Sequence, residues 1–150
     1  MKDEIDRRNQ SSLDRLRAVR ARLSRDDLLH PIDPPWTAAA LFAHVAFWER
    51  FTHARWLHAR ESASGVPHPI EDFATDLVNA AALTQWLSVP PEEAVEECLE
   101  AAEIFDRYIR SLGRELVSRV LQEERPRLVD RSFHRSEHLE TIEAAFPDRA

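Results

Sequence analysis

Apolar residues recur at helical spacing through most of the chain. Over residues 3–29, Ile5, Leu16, Val19 and Leu23 form one stripe with Leu13 beside it, while Arg alternates with Asp and Glu on the opposite face. Pro31, Pro34 and Pro35 forbid its continuation, because proline lacks the amide hydrogen and clashes with the preceding turn. A second helix is predicted over 37–60, with Leu41, Val45, Trp48 and Thr52 on one face and Phe51 at its edge. Residues 62–69 contain Ser, Gly and two prolines and read as a loop. A shorter helix is predicted over 70–87. Pro90 and Pro91, followed by Glu92 and Glu93, carry a helix-start signature. From there Val95, Leu99, Ala102, Phe105, Ile109, Leu112 and Leu116 form a long stripe that Gly113 ends or loosens. A break at Arg125-Pro126-Arg127 precedes a last helix over 129–146, with Leu139, Ile142 and Phe146 on one face. No internal repeat interrupts this order. Amphipathic helices joined by short proline-containing loops predict an all-α fold with essentially no sheet, one antiparallel bundle occupying 1–150 as a single domain.

Composition narrows the function classes. A hydrophobic fraction of 43% and a charged fraction of 31% exclude a disordered tail or a fibre. The longest near-apolar stretch, 37–48, is too short to span a membrane and holds His44, so no membrane partner is expected. Net charge is −7, which opposes general affinity for nucleic acid. The N-terminal ten residues are charged, unlike a signal peptide, and a cytoplasmic protein is expected. With only two glycines, a phosphate-cradling loop is disfavoured. Lys2 is the only lysine, which leaves no other Schiff-base candidate. The acidic run Glu92, Glu93, Glu96, Glu97, Glu100 and Glu103 reads as a solvated helix face.

The candidate chemistry lies with histidine. His134 and His138 are spaced i, i+4, which sets two imidazoles one turn apart on one helix face. Taken alone, such a pair in a charged helix is more often a surface feature. His44 falls inside the apolar arc of Leu41, Val45, Trp48 and Phe51, where an unpartnered imidazole would cost on the order of 1–3 kcal/mol. Either it bonds a backbone carbonyl or an aspartate, or it faces His134 and His138 across the bundle. A three-imidazole set suits zinc, nickel or ferrous iron. His53 and His58 read as solvent-facing, and His30 and His68 as loop residues. Glu49 lies off the arc and reads as a surface glutamate, the alternative being a reach toward a metal-bound water. Arg55 projects near the His44–Trp48 face and either pairs with a carboxylate or binds an anionic substrate group. Cys98, the single cysteine, reads as a small core hydrophobe.

These residues carry a family resemblance. Trp36-Thr37 followed by Leu41-Phe42-Ala43-His44-Val45-Ala46-Phe47-Trp48-Glu49 resembles the second-helix motif of the DinB-like superfamily. Phe133-His134-Arg135-Ser136-Glu137-His138-Leu139-Glu140-Thr141-Ile142 is similar to its last-helix motif, and Asp76-Leu77-Val78-Asn79 resembles a stretch before its third long helix. The resemblance covers nearly the whole chain. It implies an antiparallel four-helix bundle of up-down-down-up type, with a short extra helical segment before the third long helix. It also implies a divalent metal held near one end of the bundle by His44, His134 and His138. The superfamily includes thiol-dependent transferases and isomerases, so a small-molecule substrate, a low-molecular-weight thiol among them, is the implied partner. The chain lacks the second, C-terminal domain of the mycothiol-dependent maleylpyruvate isomerases, which argues against that particular activity. Catalytic residues are not identified. The resemblance, with the amphipathic first helix, leads to the expectation of a homodimer.

Three readings follow. The first is a metal-dependent enzyme, a thiol S-transferase or hydrolase, using nickel or zinc, with iron as a further candidate. The second is a bundle that binds a small molecule or metal without turnover. The third is a helical interaction module in which the histidines are incidental.

Overall fold

Each predicted helix forms in the computed structural model, which describes residues 1–149, with shifts at the ends that local chemistry explains. The first stripe splits into α1 (Lys2–Arg22) and α2 (Arg25–Leu29). The break is a capping box: the Ser24 hydroxyl accepts the Asp27 amide at 3.1 Å, and the Asp27 carboxylate accepts the Ser24 amide at 3.0 Å. Arg149 and the Ser24 amide hold the Asp27 carboxyl down at about 2. Where the prolines forbid helix, β1 (Pro31–Asp33) and β2 (Trp36–Thr37) pair antiparallel, a small ribbon in a chain otherwise built of helices, in keeping with the all-α expectation of essentially no sheet.

The Thr37 side chain then caps α3 (Ala38–Ala59) by accepting the Ala40 amide at 3.1 Å. α4 covers Asp72–Ser88, and α5 (Pro91–Ser111) begins on proline as predicted. The long stripe does not continue through Gly113. Leu116 belongs to a separate helix, α6 (Arg114–Gln122). A 3-10 turn at Pro126–Leu128 precedes α7 (Ser132–Ala145). That helix starts three residues later than predicted, because the Asp130 carboxylate accepts the Ser132 amide at 3.1 Å and holds a turn there.

Cross-helix contacts give the directions. Arg20 pairs with Glu96, and Arg17 with Glu103 at 3.6 Å, so α1 and α5 run antiparallel. Arg50 meets Glu97, and His53 stacks on Phe105, so α3 and α5 are parallel. Asn9 lies against Arg131, and Arg15 against Glu143, so α7 runs with α1. The four long helices α1, α3, α5 and α7 are therefore up, down, down, up, and α4 is the extra segment before the third. The acidic run does form an outer face, with Glu97 half-buried and the other five exposed, and three members pair with Arg17 and Arg20 of α1 and Arg25 of α2. Among the described residues no helix is long and apolar enough to cross a membrane.

Two apolar clusters make the core. Leu13, Leu16, Val19, Phe42, Val45, Leu99, Leu139 and Ile142 belong to one, and Ile5, Trp56, Phe105, Ile109, Val117 and Val120 to the other. Between them every long helix contributes buried polar groups: Asn9 and Ser12, Glu49, Asp106, and Arg135. The apolar stripe of α1 is consumed inside this core, so a two-fold contact through α1 would have to use its charged outer face.

Candidate metal centre

His44 sits in the second turn of α3, positioned by the Thr37 cap, on a flank of the bundle about 9 Å along the helix from its start. His134 and His138 occupy the first two turns of α7, which runs antiparallel to α3. The structure brings the three together. Nε2 of His134 lies 3.0 Å from Nε2 of His44 and 3.1 Å from Nε2 of His138. All three ligand atoms fall within 4.8 Å of one another. Nitrogens about 2.0–2.1 Å from a tetrahedral ion stand roughly 3.3 Å apart, so this donor set fits one small divalent cation. Nε2 of a neutral His134 carries either one hydrogen or one lone pair, so it can make only one of these two contacts as an ordinary hydrogen bond.

The rings are oriented by packing rather than by hydrogen bonds. Nδ1 of His44 and Nδ1 of His134 are buried with no hydrogen-bond partner among the described residues. Instead the His44 ring meets Trp36 and Trp86 edge-on, with centroids 5.5 and 4.9 Å away. Burial, reinforced by the charge His138 would carry, pushes His44 down to about 3. Burial also holds His134 well below the ordinary imidazole value, and His138 below it. The folded protein therefore presents neutral imidazoles, the form that coordinates metal.

These shifts carry a sign. An unfolded histidine takes up a proton near pH 6.5, whereas the folded imidazoles resist it to lower pH, so the unfolded chain binds more protons in that window. The metal-free protein should lose stability as pH falls below about 6.5, by up to about 1.4 kcal/mol per unit for each imidazole involved. In the folded state, however, protons should compete with metal only well below the ordinary histidine range. Metal content after dialysis at about pH 5.5, measured on protein that keeps its helical circular dichroism, should equal that at pH 7.5; loss with a midpoint near 6.5 would contradict the buried geometry.

A buried charge layer holds the two histidine-bearing helices together. Arg135, between His134 and His138 in sequence, is fully buried. It donates to Glu49 through Nε and Nη2, both at 3.1 Å, and to Asp106 through Nη2 at 2.7 Å and Nη1 at 3.0 Å. Nη1 also reaches the Asn9 carbonyl and the Ser12 hydroxyl, each at 3.1 Å. Arg131 Nε adds contacts to both Glu49 oxygens at 3.4 Å, so two arginines balance two carboxylates. Burial alone would raise the Glu49 carboxyl, but Arg131 and Arg135 outweigh it and hold the group ionised. Asn9 completes the joint: its Oδ1 accepts the Arg131 amide and its Nδ2 donates to the Val129 carbonyl, both at 2.8 Å. All four long helices meet at Arg135.

This layer overturns the surface reading of Glu49, which has no exposed area at all. The layer shows in the spacing once the inward face is known: Val45, Glu49, Thr52 and Trp56 follow one another at spacings of four, three and four, as do Ile5, Asn9, Ser12 and Leu16 on α1. Polar residues set into an apolar stripe mark an internal polar layer. His53 is also not solvent-facing, being half-buried against Phe105 and Tyr108. His30, His58 and His68 are exposed, and Cys98 is a buried thiol whose pKa burial pushes up.

The histidines open onto a cavity of about 1180 Å³ between α3, α4, α7 and the turn before α7. Trp36, Leu41 and Trp48 give it an apolar wall, and Trp48 Nε1 donates to Asn79 Oδ1 of α4 at 2.8 Å. Arg55 lines it too. Its Nη2 donates to the His68 carbonyl at 2.5 Å, and no carboxylate among the described residues pairs with it.

A family model described as the DinB superfamily matches residues 9–142. No curated protein and no solved structure matches the chain.

Proposed function

The chain belongs to the DinB superfamily, and we propose that it is a divalent-metal-dependent enzyme acting on a small molecule, with His44, His134 and His138 as the metal ligands. The observation that carries this reading is the convergence of three Nε2 atoms on the wall of a large cavity. All-nitrogen donors favour nickel or zinc, with ferrous iron as a further candidate, over magnesium. Bound there, the ion would supply Lewis acidity at a position left open to the cavity. The chain's own residues supply the rest: Trp36, Leu41 and Trp48 exclude water from one side, and the Arg135 layer keeps the ligands in register.

Between the two reaction classes, thiol S-transfer is the better supported. Hydrolysis through a metal-activated water is helped by a general base beside the reacting atom. Glu49 is locked in ion pairs, and Glu137, at the cavity rim, pairs with Arg127 at 2.5 Å. A thiol starts several units more acidic than water and depends less on such a base when bound at an ion.

Purified untagged protein should hold about one divalent ion per chain and transfer a low-molecular-weight thiol to an electrophile, with the activity lost on metal stripping and restored by nickel or zinc. Full metal content without turnover over a panel of thiols and electrophiles would favour a binding bundle. Protein that takes up no metal at neutral pH would leave only an interaction module.

A further inference from the structure

We infer that Arg55, Arg125 and Arg131 form an oxyanion subsite, which receives a carboxylate or phosphate at the far end of the substrate whose reacting end meets the three histidines. The inference rests on the proposed metal reading for the second half of that statement, and on the cavity alone for the first.

The cavity's charge is sorted by depth. Its four acids, Asp33, Asp72, Glu124 and Glu137, are all exposed at the rim. Of its four arginines, Arg127 is exposed at the rim and paired with Glu137, whereas Arg55 and Arg125 are half-buried and Arg131 is buried. In a chain of net charge −7, three arginines share one wall of one space.

They are also under-paired. Beyond the bond to the His68 carbonyl, Arg55 makes no hydrogen bond to the described residues. The ion partner of Arg125 is Glu123, at 3.7 Å and outside hydrogen-bond range. Arg131 uses Nε on Glu49 and Nη1 on the Arg127 carbonyl at 2.6 Å, which leaves Nη2 without a partner among the described residues. Burial lowers the pKa of Arg55, and the charges of Arg125 and Arg131 lower it further. Guanidinium groups crowded this way gain most from a planar or tetrahedral oxyanion, whose oxygens accept several charge-assisted bonds at once.

Spacing sets the ligand's length. Arg55 follows His44 by eleven residues on α3, which is close to three full turns, so both side chains leave the same face about 16 Å apart along the axis. Both side chains lean back toward the helix start, the longer arginine farther, and the bonds to ion and guanidinium take up part of the rest, which leaves a ligand span of roughly 10 Å between the histidines and the oxyanion. The substrate is thus an extended molecule with its charge remote from its reacting atom, and the cavity has room for one.

The test is calorimetry on zinc-loaded protein with three probes of equal length: ω-mercaptooctanoate, ω-mercaptooctyl phosphate and ω-mercaptooctanol. At least one anionic probe should bind about tenfold or more tighter than the alcohol, and the tighter of the two identifies the oxyanion. In Arg55→Gln and Arg125→Gln that preference should vanish, with zinc content and alcohol affinity unchanged. The wild-type comparison needs no variant, and a second one checks the spacing: mercaptopropionate should show no advantage over mercaptopropanol. Equal binding of all three long probes overturns the subsite and leaves the metal reading intact. An advantage as large for mercaptopropionate places the charge at the ion itself and also overturns the subsite. Anionic-probe binding that requires Arg55 but not zinc supports the subsite and overturns the placement of the thiol end at the histidines. Failure of all three probes to bind protein that holds zinc overturns the subsite, while the metal content itself keeps the metal site standing.

Discussion

Alanine in place of His138 is expected to leave a folded, helical protein that no longer retains metal through dialysis. Two imidazoles, His44 and His134, would remain on opposite helices, and the one-turn chelate of α7 would be gone. Changes to groups that merely support a metal ligand cost about 10–100-fold in affinity, so loss of a ligand should exceed about 100-fold. His134→Ala should do the same. His44→Ala should too, but there the edge contacts with Trp36 and Trp86 are lost as well and stability falls alongside. The informative controls are His58→Ala, which alters an exposed residue, and His53→Ala, which removes a ring stacked on Phe105. Both should keep full metal content. Elemental analysis after dialysis decides the matter, and equal metal in wild type and His138→Ala would remove the site.

Loss of Arg135 should produce the largest change in stability. Arg135→Ala leaves Asp106 without its partner and Glu49 with only the longer contacts of Arg131, deep between two apolar clusters. Breaking a buried pair in this way costs about 3–5 kcal/mol, against about 5–15 kcal/mol for the whole of a domain this size. At about 2–4 °C per kcal/mol, the melting temperature should drop by roughly 10 °C. The comparison is Arg135→Met and Arg131→Met combined with Glu49→Leu and Asp106→Leu, which removes all four charges of the layer together and leaves none of them unpaired. Stability should recover in large part. Metal affinity should not, because α3 and α7 would then meet across a greasy surface with no fixed register between His44 and the other two histidines. A quadruple variant that melts high and binds metal as tightly as wild type would mean that the layer stabilises the bundle without positioning the site.

The same layer separates what could be read along the chain from what could not. Helix spans were legible, because stripe spacing, proline and capping residues act within a few positions of themselves. The His134–His138 pair was legible for the same reason. The break between α1 and α2 was written in Ser24 and Asp27, yet the apolar stripe runs on to Leu23 and masks it. The splitting of the last long stripe at Gly113 likewise turned on a single residue.

Glu49 shows where local reading stops. The N-terminal half of α3 is buried all the way round, from Ala38 to Ala46, so no polar face marks which direction is inward, and an arc centred on Leu41 and Trp48 puts Glu49 outside. Its partners stand 82 and 86 positions away, at Arg131 and Arg135, and Arg135 finds Asp106 at a separation of 29. Charges that must be buried are safe only when opposite charges from other helices arrive at the same level, and helix spacing carries no record of which levels coincide. The sequence by itself therefore determined the helices, their order and the histidines able to share an ion. The tertiary structure alone decided that those histidines meet, that four helices lock around Arg135 behind them, and that Arg55 faces a cavity rather than a carboxylate, since each of these depends on the register between segments that only packing sets.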